Sequence, residues 1–143
     1  MPAQDFVGTW RLVSMEARSS TGAVNYPLGE DGGGLIMYAA DGYMSVVLYR
    51  ADRERFGTPD IMAGTEAQLA NAARSYVSYA GRYEVHGDRV HHHVEASLFP
   101  DWVGTTQERI YQFDGNRLTL STDPIPLGGA ELRVLLIWER VQR

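Results

Sequence analysis

Tyr79-Ala80-Gly81-Arg82-Tyr83-Glu84-Val85-His86-Gly87-Asp88-Arg89-Val90-His91-His92-His93-Val94-Glu95-Ala96 is the stretch on which the fold turns. Two strand-forming runs flank His86-Gly87-Asp88-Arg89, whose Gly-Asp centre supplies the positive φ of a tight hairpin turn. Closing the hairpin there pairs Val85 with Val90, and so sets Tyr83 opposite His92, Gly81 opposite Val94 and Tyr79 opposite Ala96. That face is apolar with three polar handles, Tyr79, Tyr83 and His92. Its reverse pairs Glu84 with His91, Arg82 with His93 and Ala80 with Glu95, a charged surface facing water. A three-residue loop with a bulge would instead send His91 and His93 inward, and both registers stay open at this point.

The same arithmetic extends outward. Around Asp114-Gly115-Asn116-Arg117, a loop of two or four residues pairs Phe113 with Leu118 and Tyr111 with Leu120, leaving Gln112, Thr119 and Ser121 on the other face. Alternation then puts Arg109 on the apolar side with Tyr111, where a cation is costly to bury unless something anionic or hydrogen-bonding meets it. A third hairpin joins residues 35–38 to 43–48 through Ala39-Ala40-Asp41-Gly42. Further strands are expected over residues 9–17, 77–85, 90–98, 105–113, 118–122 and 132–141. Eight strands joined by short turns rather than helices specify an all-β chain, and eight close into an antiparallel barrel wide enough for side chains or one small ligand. Between residues 50 and 74 the alternation stops, and residues 65–74 are rich in helix formers behind a Thr65 cap. This longest interruption is expected to form a short helical lid over the open end. Trp10 begins the first strand and Arg140 ends the last, so the two are expected to stack at the closed end as a cation-π pair.

Composition narrows the function classes. The 143 residues suit one domain, residues 1–143, and 44% apolar with 22% charged residues is ordinary globular usage. A net charge of -5 repels phosphates, so no nucleic-acid partner is expected. The chain has no cysteine, which excludes disulfides, thiolate chemistry and cysteine-ligated metals. Met1-Pro2-Ala3-Gln4-Asp5 lacks the basic head and apolar run of a secretory signal, and no stretch approaches the roughly 18 apolar residues of a membrane span. A cytoplasmic location and no membrane partner are the resulting expectations.

Successive strand residues point to opposite faces, so His91, His92 and His93 cannot all hold one ion. His91 and His93 could chelate with Glu95, but a solvated strand face accounts for them as well, and neither a metal nor a cofactor is expected. Asp31-Gly32-Gly33-Gly34 lacks the lysine and following helix of a phosphate-binding loop.

Several segments carry a family resemblance. Phe6-Val7-Gly8-Thr9-Trp10-Arg11-Leu12 resembles the Gly-x-Trp signature of lipocalins. Tyr26-Pro27-Leu28-Gly29, Asp41-Gly42-Tyr43-Met44-Ser45, Tyr79-Ala80-Gly81-Arg82-Tyr83-Glu84, the block from His92 through Pro100-Asp101-Trp102 to Gly104, and Trp138-Glu139-Arg140 are similar to the bacterial and fungal lipocalin-like domain family. The resemblance implies a calycin-type eight-stranded barrel with a central cavity. The chain departs from secreted lipocalins in lacking their disulfide cysteines and Thr-Asp-Tyr loop, so their transport role and receptor partners are not implied.

Two functions follow from these residues. In the first, a cavity lined by Leu12, Tyr79, Tyr83, Val94, Tyr111, Leu120 and Trp138 binds a small hydrophobic or aromatic molecule, with Arg109 and His92 fixing its polar or anionic end. In the second, the same cavity is a cofactor-free isomerase, cyclase or hydratase in which His92 moves a proton and Arg109 or a tyrosine stabilises developing oxyanion charge. Apolar residues on both faces of residues 132–141 leave room for cover by the helix or by a second subunit in a homodimer.

Overall fold

The computed structural model describes residues 2–142. A short helix α1 (Pro2–Phe6) leads into β1 (Gly8–Arg18), followed by β2 (Val24–Asn25), β3 (Gly33–Tyr38) and β4 (Tyr43–Tyr49). Helix α2 (Glu66–Arg74) precedes β5 (Tyr76–His86) and β6 (Arg89–Ser97). A 3-10 turn, Pro100–Trp102, then leads to β7 (Thr106–Asp114), β8 (Arg117–Ser121), β9 (Ile125–Leu127) and β10 (Ala130–Arg140). The strands pair in the order β2-β1-β3-β4-β5-β6-β7-β8-β10-β9, and β1 also pairs with β10. That last pairing closes eight of the ten strands into the antiparallel barrel read from the sequence. The short β2 and β9 are additions at its rim.

Both hairpin registers that orient the site match the turn arithmetic. Val85 pairs with Val90, Tyr83 with His92, Gly81 with Val94 and Glu84 with His91. Phe113 pairs with Leu118 and Tyr111 with Leu120. Two expected pairings are displaced: Tyr79 faces Ser97 rather than Ala96, and Ala80 faces Ala96 rather than Glu95, because a bulge leaves Glu95 as an extra residue beyond Gly81. At Gly81 the β6 backbone comes so close that an added Cβ would collide with the His93 carbonyl oxygen. Only glycine allows that approach.

The closed end is sealed by an element with no signal in the strand pattern. Helix α1 delivers Phe6 into the barrel, fully buried, with its ring centroid 5.0 Å from Tyr38, 5.0 Å from Tyr111 and 4.9 Å from Phe113. The Trp10 indole N–H donates to the Phe6 carbonyl at 2.9 Å, and Arg140 stacks 4.2 Å from the Trp10 ring, as the sequence suggested. Arg140 also donates to the carbonyls of Val7 and Asp5, both at 2.8 Å, tying α1 to the last strand. Gly8 has φ +133, and a Cβ there would stand 2.7 Å from the Arg140 guanidinium, so a side chain would displace this staple.

Helix α2 is capped as expected: Thr65 accepts from the Gln68 amide at 3.1 Å, and the Gln68 side chain accepts from the Thr65 amide at 3.0 Å. The helix buries none of its residues and packs beside β5, while Arg53 lies over Tyr76 and donates to Ser75 and the Ala72 carbonyl. These contacts tie the segment 50–74 to the start of β5, whose Val77 and Tyr79 line the cavity.

Candidate functional site

Inside the barrel, on the side of the histidine and away from Phe6, lies a cavity of about 120 Å³. An apolar cavity of about 150 Å³ is large enough for benzene, so this space is on the scale of one aromatic ring. Most of the wall is apolar: Ile36, Val46, Leu48, Leu120 and Leu136 contribute from the strands, and Trp102 from the 3-10 turn. A larger groove of about 710 Å³ is lined wholly by residues 53–61. It is a crease along one surface loop and encloses nothing.

Of the nine residues expected to line the cavity or fix the ligand's polar end, Tyr79, His92, Arg109, Leu120 and Trp138 stand in the wall. Leu12, Tyr83, Val94 and Tyr111 do not. Tyr83 and Tyr111 lie in the aromatic packing around Phe6, with their hydroxyls on the Ala39 and Gly87 carbonyls at 2.9 and 2.8 Å. Leu12 and Val94 are buried in the core outside the wall. Facing inward is thus not enough, because depth along the barrel axis decides between cavity and plug. Besides the five apolar side chains Ile36, Val46, Leu48, Trp102 and Leu136, the sequence reading missed Met15, Val77, Thr122, Val134 and the β9 segment 125–127, which complete the wall. Alternation from Leu120 and Tyr79 would have identified Thr122 and Val77, whereas β9 is too short to show a period.

His92, 1% exposed, is held between two tyrosines. Its Nε2 lies 2.7 Å from the Tyr38 hydroxyl and its Nδ1 lies 2.7 Å from the Tyr79 hydroxyl. Burial holds the imidazole well below its ordinary pKa, with the nearby Arg109 charge acting in the same direction, so the ring is neutral. Burial raises Tyr38 well above the usual phenol value and also raises Tyr79, in each case opposed in part by Arg109. All three side chains keep their neutral forms at physiological pH.

Arg109 is half-buried in the same wall. Its guanidinium donates to the Glu108 carbonyl at 2.8 Å and, at a long 3.4 Å, to Gln107 Oε1. Among the described residues it enters no ion pair. The cavity therefore presents an uncompensated cation beside a tyrosine hydroxyl.

The other histidines face out. His93 bonds Glu84 at 2.7 Å and Thr106 at 2.9 Å, and His91 lies 3.7 Å from Glu108. The hydrogen bond from His93 draws the Glu84 carboxyl below its usual pKa. Among the described residues no group of three histidine, aspartate or glutamate side chains is arranged to hold a metal ion, and no helix is long and apolar enough to cross a membrane.

Known proteins resemble this chain. A carrier protein for 4'-hydroxy-3'-methoxypropiophenone from Aspergillus oryzae is 40% identical over 103 residues, covering 62% of this chain and 93% of the relative. Among solved structures, a mutant of the fluorescent protein UnaG aligns over 96% of both chains at 10% identity and a TM-score of 0.41. The family model for the lipocalin-like domain matches residues 7–141, from the residue after the Phe6 plug to just past the end of the closing strand. With the closed eight-stranded barrel and its interior cavity, that match over nearly the whole chain shows that the protein belongs to the lipocalin-like domain family.

Proposed function

We propose that this protein carries a small aromatic molecule, ring inside the barrel and oxygen-bearing end against Arg109 and Tyr79. The observation that carries the reading is the Arg109 guanidinium, without a carboxylate partner in the wall of a mostly apolar cavity. A half-buried cation that meets one carbonyl at short range and no carboxylate gains from a ligand that supplies a further acceptor. The volume suits about one aromatic ring. The similar carrier is named for a ligand of this class, an aryl ketone with a phenolic hydroxyl and a short acyl chain.

The isomerase, cyclase or hydratase alternative needs a base with a free lone pair. Both ring nitrogens of His92 are engaged by tyrosines, and no other histidine lines the cavity, which favours carriage over proton-transfer catalysis. The test is titration with 4'-hydroxy-3'-methoxypropiophenone, followed by fluorescence of the wall residues Trp102 and Trp138. Saturable one-to-one quenching, with the ligand recovered at unchanged mass, is the expected result. A flat titration or a chemically altered ligand would overturn the reading.

A further inference from the structure

The Tyr38–His92–Tyr79 chain has a direction. Tyr38 is 2% exposed, its ring boxed by Phe6 and Tyr83 at centroid distances of 5.0 and 4.8 Å, and His92 is the sole hydrogen-bond partner of its hydroxyl among the described residues. A buried O–H left without an acceptor is heavily penalised, so the Tyr38 proton must be donated to His92 Nε2. A neutral imidazole carries one proton, and with Nε2 accepting, that proton sits on Nδ1 and is donated to the Tyr79 oxygen. The Tyr79 hydroxyl proton is then left for the cavity.

The rest of the wall has the same polarity. The Thr122 hydroxyl already accepts from the Val134 amide at 3.0 Å, leaving its proton free, and Trp138 has a buried indole N–H with no partner. With Arg109 these make four donor-bearing groups around a space in which the histidine offers no lone pair.

Resting on the carrier reading above, we propose that Tyr38, which does not line the cavity, sets its polarity: by fixing His92 as the Nδ1–H tautomer it turns Tyr79 into a donor, so the site selects ligands whose buried polar group accepts hydrogen bonds and rejects those that must donate one. A carbonyl, a carboxylate or a phenolate is taken. A hydroxyl of the same shape is disfavoured, because the wall side chains present protons to it and its own proton is left to the remaining lone pairs of hydroxyl oxygens that already accept one bond. Tyr38 is a positioning residue acting through His92.

The decisive measurement is the nitrogen NMR spectrum of histidine-labelled, ligand-free protein, in which protonated and bare ring nitrogens resonate far apart. His92 is recognised by the contacts of its ring protons with the rings of Tyr38 and Tyr79. The expected spectrum has Nδ1 protonated and Nε2 bare, and the reverse pattern overturns the proposal without any variant being made. The binding arm uses the neutral, ring-matched probes acetophenone and 1-phenylethanol. The parent protein should favour the ketone about tenfold, the cost of one unpaired donor. Tyr38→Phe, which keeps the ring, should shrink that ratio to within about twofold of unity. An unchanged ratio in Tyr38→Phe overturns the relay. If neither probe binds the parent, the carrier reading fails, while the nitrogen spectrum still decides the tautomer.

Discussion

Replacing Arg109 with leucine should move affinity and stability in opposite directions. The guanidinium stands in the wall of the cavity, half-buried and without an ion pair, so in the ligand-free protein its desolvation is uncompensated by any carboxylate. Leucine removes that cost and fills similar apolar volume, so the variant should melt at the same temperature or higher. Binding behaves otherwise. Coulomb's law at about 4 Å with an effective dielectric near 20 gives about 4 kcal/mol for a full charge pair. Solvent screening at a half-open residue reduces this, and charge-assisted hydrogen bonds in proteins net about 1.5–3 kcal/mol. A loss of about 2–3 kcal/mol is therefore expected for a ligand with an anionic oxygen, or about 30- to 150-fold in Kd. The assay is fluorescence titration with 4-methylbenzoate, whose carboxylate is anionic at neutral pH, and, in parallel, 4-ethyltoluene, a hydrocarbon of matching ring, alongside thermal melts. The hydrocarbon should bind the variant as well as the parent or better. Equal weakening of both ligands, or no weakening of either, would refute the assignment of the oxygen end to Arg109.

Other perturbations test the frame around the cavity. Trp10→Ala removes a fully buried indole that bonds the Phe6 carbonyl and supports Arg140, and should cost about 3–5 kcal/mol, lowering the melting temperature by about 10 °C or more; a shift of a degree would show that the closed end does not depend on it. His92 is held well below its ordinary pKa by burial, so at mildly acidic pH the unfolded chain binds a proton that the folded protein does not. Its contribution is fully present above the unfolded-state value near 6.5 and is lost as the pH falls from there toward the depressed folded-state value, with a limiting slope of about 1.4 kcal/mol per pH unit. Urea unfolding at about pH 7.5 and about pH 5.5 should show this slope in the parent and not in His92→Gln, and equal slopes would assign the acid sensitivity elsewhere.

Much of this architecture was legible in the residues, because strand pairing near a tight turn is local. The Gly115-Asn116 turn and the two-residue alternation beside it lead to Tyr111 meeting Leu120 and Arg109 facing inward, while the Gly87-Asp88 turn leaves two registers, of which the pairing of Val85 with Val90 in the folded sheet selects the one that turns His92 inward. The stack of Arg140 on Trp10 follows from placing the first and last strands side by side in a closed barrel. Tertiary structure alone decided the rest. Five-residue α1 is too short to show a period, so the Phe6 plug, and the loss of Tyr83 and Tyr111 from the cavity, depend on packing no local pattern encodes. The bulge beyond Gly81 moves Tyr79 by one pairing step, a shift that depends on how closely two backbones approach. The bond between Tyr38 and His92 spans 54 positions and three strand boundaries, and neither residue identifies the other in the sequence. Barrel closure brings them together, because alternation determines which face a side chain takes, while the curvature and depth of the closed sheet determine what it meets there.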